Sequence, residues 1–184
     1  MQTTIEKTVN GVNVEQLMET IKTVKSEPSL GASKFRASNK WINGAHNRST
    51  IQGFYTAGRE DATRLRPHVL DADEPAILVG EDKGANPVEH VLHALAACLT
   101  TSMVYHAAVR GIEIEELESQ LEGDLDVRGF MGIAPDVRKG YQNIRVSFTV
   151  KSDAPVEKLK ELAEFSPVFD TIRNPVAVTV NVTK

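Results

Sequence analysis

The chain contains one cysteine, Cys98, and that thiol is its strongest single candidate for chemistry. A thiolate is a nucleophile that oxidises and reduces reversibly, whereas a buried neutral cysteine is only a small apolar side chain. Just upstream stands Glu89-His90-x-x-His93. Histidines three apart share a helix face, but the pattern lacks the four-residue spacing of His-Glu-x-x-His, and Cys98 lies about 80° away around a helix. With no third ligand in view, the expectation is no metal and no cofactor, with both histidines solvated or hydrogen-bonded. Ser166 precedes Pro167 and reads as a helix N-cap, because no nearby histidine and acid form a relay that would make it a nucleophile. The acids Glu113, Glu115, Glu116 and Glu118 read as the exposed face of a strand. Those between Asp71 and Asp82 read as a solvated loop without a calcium motif.

The elements around these residues follow from periodicity. Val14, Leu17, Met18 and Ile21 have helical spacing, with Asn13 as a cap and Pro28 as the stop. Patches around Phe35–Trp41, Ser49–Tyr55 and His68–Leu70 favour strands, with turns at Asn43-Gly44 and Gly58. Asn86-Pro87 opens a long helix that ends near Arg110-Gly111. Its apolar residues occupy most faces, so it is expected to be buried. Alternation marks three later strands, over Leu117–Val127, Ile144–Val150 and Val176–Val182. Between the last two, Val156, Leu159 and Leu162 mark an amphipathic helix, and Ser166-Pro167 starts a second short one.

This order gives an α+β fold with antiparallel or mixed sheets. The expected organisation is an N-terminal helical extension over residues 1–32 and one domain over 33–184. The 184 residues are 41% hydrophobic and 25% charged, with a formal net charge of -4. That balance offers nothing to attract nucleic acid or an anionic membrane, and neither is an expected partner. No basic stretch followed by an apolar run marks a secretory signal, no run of about 20 consecutive apolar residues is present, and one cysteine cannot form an internal disulfide. A reducing cytoplasm is the expected compartment.

The segment Asn86-Pro87-Val88-Glu89-His90-Val91-Leu92-His93-Ala94-Leu95-Ala96-Ala97-Cys98 resembles the signature of the OsmC/Ohr family: an Asn-Pro helix start, small residues, and a thiol about three turns in. Ser166-Pro167-Val168 and Arg173-Asn174-Pro175-Val176 are similar to a second family segment, and Val104–Ile112 to the family's helix end. The resemblance covers about residues 33–184. It implies an intertwined homodimer, with β-sheets wrapped around two long central helices and reactive thiols in pockets near the subunit interface. It also implies reduction of organic hydroperoxides by a thiolate, assisted by an arginine from the N-terminal strands and a glutamate of the helix motif. Arg48 best matches that arginine, with Arg36 second, and Glu89 stands one residue beyond the glutamate's place, which Val88 occupies. Ser166 stands where peroxidatic members carry a second cysteine, so no internal disulfide can close the cycle.

The leading expectation is therefore a hydroperoxide reductase. Cys98 is the attacking thiolate, Arg48 and Glu89 assist, and an external thiol is the reductant. Leu95, Leu99, Ser166 and Arg36 are expected around the pocket. Two other readings stand beside it. One is a non-catalytic dimer that binds a small apolar or lipid-like ligand in the interface pocket; the other is a thiol redox sensor. Because Cys98 is in mid-helix, away from the N-terminal dipole, a nearby cation has to supply any activation.

Overall fold

The computed structural model describes residues 8–184; the first seven residues of the expected N-terminal extension lie outside them. Asn10 and Gly11, both at positive φ (52° and 75°), turn a short hairpin of β1 (Thr8–Val9) and β2 (Val12–Asn13). A two-residue hairpin turn of type I′ needs that backbone region at both positions, and Asn-Gly supplies it at low cost. The helix expected next is α1 (Val14–Ser26), and Pro28 opens a single 3-10 turn after it.

Six short strands follow, in two antiparallel three-stranded sheets. β3 (Lys34–Phe35), β6 (Phe54–Thr56) and β7 (Arg59–Asp61) form one, with β6 central. β4 (Ser38–Asn43), β5 (His46–Ile51) and β8 (His68–Ala72) form the other, with β5 central. Gly44 (φ 55°) turns β4 into β5, and Gly58 (φ 77°) turns β6 into β7, as the glycine positions suggest.

The long helix α2 runs Pro87–Ala108. Gly111 (φ 67°) follows its end, and the Ile112 N–H returns to the Ala107 carbonyl at 3.0 Å, so the last carbonyls are satisfied. β9 (Glu116–Asp124) and β10 (Asn143–Lys151) then form a nine-residue antiparallel ladder, with Leu121 opposite Val146 and Leu117 opposite Val150. Strict alternation puts Leu117, Leu121, Ile144, Val146, Phe148 and Val150 on one face, against Leu95, Leu99, Met103 and Ala107. α3 (Val127–Phe130) interrupts the connection between the two strands, and α4 (Val156–Ala163) and α5 (Pro167–Arg173) follow β10. The fold is thus α+β, and every ladder among the described residues is antiparallel.

Three sequence expectations need correction. Residues 174–184 form no strand ladder: Val176, Val178, Val180 and Val182 are 58%, 80%, 80% and 84% exposed. Alternation gives a segment the capacity to be a strand, but it does not choose an edge, and here the segment pairs with none, although β9 and β10 each leave an outer edge unpaired. Second, α2 is not buried all round. Leu95, Leu99, Ser102, Met103, Ala107 and Ala108 are buried, whereas Val91, Ala94, Ala97, Thr101 and Tyr105 are exposed. Third, α2 is long and apolar enough, by length and composition, to cross a membrane, a property that counting consecutive apolar residues misses. Its packing against the inner face of β9 and β10 is that of a core helix.

The chain divides into two compact units, residues 8–14 with 92–184, and residues 15–91. Within the first, the side chain of Asn10 accepts the Ile114 N–H and donates to the Ile112 carbonyl, both at 2.9 Å, fastening the N-terminal hairpin to the segment after α2. Among the described residues, all the buried apolar side chains belong to this unit, from Leu95 to Ala163. In the second unit the one buried residue among those described is Asp73.

Candidate functional site

Cys98 is half-buried on α2. Leu95 and Leu99, one turn before it and one residue after, are 2% and 4% exposed, so the helix is fixed at this level by its core face. A single residue step turns a helix by about 100°, which directs the thiol away from the Leu99 side.

Ser166 is almost wholly buried, at 1% exposure, and its Oγ accepts the Phe169 N–H at 3.1 Å. It is the N-cap of α5, with Pro167 at the first helical position, as the sequence suggests. At the far end of α2, the His106 ring stacks on Phe165 with centroids 4.1 Å apart. Arg110 Nη1 lies 3.1 Å from His106 Nδ1. Burial first, and then the Arg110 charge, push the His106 pKa below its ordinary value.

The candidates from the N-terminal strands lie in the second unit. Arg48, on β5, faces Asp71, on β8, across the ladder. Its Nε donates to Asp71 Oδ1 at 2.8 Å and its Nη2 to Oδ2 at 3.1 Å. His46 Nε2 is 2.9 Å from the same Oδ1, and His90 Nε2 is 3.2 Å from the Asp71 carbonyl oxygen. Arg48 and His46 together hold the Asp71 carboxyl at about 2. Arg36 is bound at both terminal nitrogens by Glu60, at 2.7 and 2.8 Å. Each candidate arginine therefore has a carboxylate partner of its own.

Glu89 is part of a helix cap. The Asn86 N–H donates to Glu89 Oε2 at 2.8 Å, while Asn86 Oδ1 accepts the Val88 N–H at 2.9 Å. Glu89 thus makes the return bond of a capping box, three residues on, while the Asn86 side chain caps the N–H two residues on. Cys98 is nine positions along α2 from Glu89, about 13.5 Å of helical rise. Next to this cap, Asp73 accepts the backbone N–H groups of Glu74, Glu81 and Lys83 at 2.8, 3.2 and 3.2 Å and folds the 71–85 loop around itself. Burial pushes its carboxyl up, but those three donors and the His46 charge bring it below the ordinary aspartate value. Asp71 and Asp73 are thus engaged by named partners, against the expectation of a solvated acidic loop. No local signal marks this role, because Asp71 comes opposite Arg48 only through the pairing of β5 with β8.

Among the described residues, no group of three or more His, Cys, Asp or Glu is placed to hold a metal ion. The profile of the OsmC-like protein family matches residues 80–181, more than half of the chain. The chain belongs to the OsmC-like family. No curated protein matches it. Among solved structures, an OsmC-like protein from Mycoplasma pneumoniae is similar, at 18% identity and a TM-score of 0.56, over 82% of this chain and 96% of that one. An OsmC-like protein of unknown function from Vibrio cholerae has 13% identity and a TM-score of 0.54, over 76% and 94%. At these identities the two structures speak for the OsmC-like fold alone. The matched segment holds Cys98, Leu95, Leu99, Glu89 and Ser166, while Arg36 and Arg48 precede it.

Proposed function

We propose that this OsmC-like protein reduces organic hydroperoxides at Cys98, with an external thiol as reductant. The observation that carries the reading is a lone, half-buried thiol on the central helix of the family-matched segment. In the first step the Cys98 thiolate attacks the outer peroxide oxygen; the O–O bond breaks, an alcohol leaves with a proton, and Cys98 becomes a sulfenic acid. With the capping Ser166 in place of a resolving thiol, an external thiol condenses with the sulfenic acid and releases water. A second thiol then displaces the mixed disulfide, restoring Cys98 and yielding the reductant's own disulfide. Arg48 is the cation we assign to the peroxide oxygens, with Asp71 and His46 fixing its orientation. Glu89, engaged in the cap, has no step here.

We also infer that the working form is a homodimer. The second unit has no buried apolar side chain of its own. β4 is exposed along its length, with Trp41 at 68%, and the valines of residues 176–182 are bare. A second copy of the chain is the occupant that would cover these surfaces in every molecule.

Turnover of cumene hydroperoxide with a small monothiol or dithiol tests the activity. Wild type should consume the peroxide and form a dimedone adduct at Cys98, and Cys98→Ser should do neither. A second reading, a non-catalytic binding protein, is favoured by Ser166 and Glu89, both engaged as helix caps. A Cys98 inert to peroxide and to alkylating reagents in the native protein would establish that reading instead.

A further inference from the structure

A hollow of about 540 Å³ lies in the first unit, within the size range of small-molecule sites. Leu99 and Met103 of α2, Val146 and Phe148 of β10, Leu159 of α4 and Phe169 of α5 form its walls. Protein interiors are close-packed, and an apolar space holds water poorly without polar partners. The one hydroxyl in the lining is Ser152, and it is already satisfied: its Oγ donates to the Glu113 carbonyl at 2.5 Å and accepts the Ala154 N–H at 3.3 Å. Two charged, exposed residues complete the lining, Lys160 on α4 and Glu164, the C-cap residue just after it. Lys158, on the same helix, is taken by Glu161 at 2.9 Å, whereas Lys160 forms no ion pair among the described residues.

We infer that this hollow binds a small amphiphile, with an aliphatic or aromatic body against the apolar walls and a single carboxylate on the Lys160 ammonium. The walls reward apolar area removed from water, and a charge-assisted hydrogen bond to Lys160 fixes the head. Glu164 disfavours a second acid in the head group, so the ligand class is a monocarboxylate. Cys98 is not in the lining, and the step from Leu99 turns it away. The site therefore does not depend on the thiol reaction proposed above.

Calorimetric titration of the full-length protein with decanoate and with decanol tests this assignment. Decanoate should saturate one site per chain and bind about tenfold more tightly than decanol, the ratio expected of a hydrogen bond to a charged group. Lys160→Met should bring decanoate to the level of decanol and leave decanol unchanged. Ala163→Phe, which fills the hollow, should weaken both, and Cys98→Ser should bind both as wild type does. The absence of saturable binding would overturn the inference, as would equal affinity for acid and alcohol or an unaltered Lys160→Met. Loss of binding in Cys98→Ser would overturn it too, by placing the ligand at the thiol. Peroxidase activity is decided by separate assays, so either reading can fail alone.

Discussion

The two compact units are held together by different physics. In residues 8–14 with 92–184, helix α2 lays Leu95, Leu99 and Met103 on the inner face of β9 and β10, and Leu162 is fully buried. In residues 15–91, cohesion comes from strand ladders and polar pairs: Arg36 with Glu60, Arg48 and His46 with Asp71, and the Asp73 clamp. Exposed ion pairs contribute little to stability, and ladders of two to five residue pairs without a covered face are marginal. The second unit is thus built like half of an interface, which is the ground for inferring a second copy.

The largest expected effect tests that inference directly. A surface substitution normally changes stability by about 0.5 kcal/mol or less. Trp41→Asp and Val178→Asp, on surfaces exposed in the single chain, should instead convert a dimer into a dissociated, poorly folded species in sedimentation. A folded wild-type monomer at micromolar concentration would end the argument. Next is Leu162→Ala in the core of the first unit. Its expected cost is about 2–5 kcal/mol in denaturant unfolding, because a fully buried side chain leaves a cavity. Ser166→Ala should cost about 1 kcal/mol through loss of the α5 cap; a null effect would remove the structural account of Ser166 and reopen a chemical one.

The smallest effects are those of pH, and they have the same sign in the two units. Asp71 has a folded value of about 2, below its ordinary 3.8. The stability it contributes is present above about pH 4 and is lost as pH falls from there toward 2. Asp71→Asn should flatten that part of the stability profile. His106 is also lowered from 6.5, and a base held below its unfolded value destabilises the fold when it must charge. Stability should therefore decline as pH falls below about 6.5, and His106→Gln should remove that slope. A profile flat between pH 7 and 5 would sink the His106 assignment.

What the sequence made legible was local. Asn86-Pro87 and Ser166-Pro167 start helices where capping chemistry places them, and the alternation of β9 and β10 reads directly as one buried face. What it hid depended on partners distant in sequence. Arg48 was visible as a cation, but its engagement by Asp71 required the pairing of β5 with β8. Glu89 stands out for its place beside the family motif's glutamate, although Asn86-x-x-Glu89 also has the spacing of a capping box. The valine alternation at 176–182 was plain, yet alternation carries no information about which edge receives it. The division into two units was not legible either, because it depends on which surfaces find cover.

Asn10 gives the molecule a chemical lifetime as well as a fold. It is followed by glycine, the neighbour that least hinders attack of the next backbone nitrogen on the side-chain carbonyl, with loss of ammonia. Water then opens the resulting cyclic imide to an acid; where the original backbone linkage is restored, a carboxylate oxygen would stand where Nδ2 now donates to the Ile112 carbonyl. Two acceptors would then face each other at 2.9 Å, where a bond had been, and a partly buried carbonyl would lose its donor. The amide that fastens the N-terminal hairpin to the segment after α2 is in this sense a slow fuse, and the hairpin's attachment should record the age of the chain.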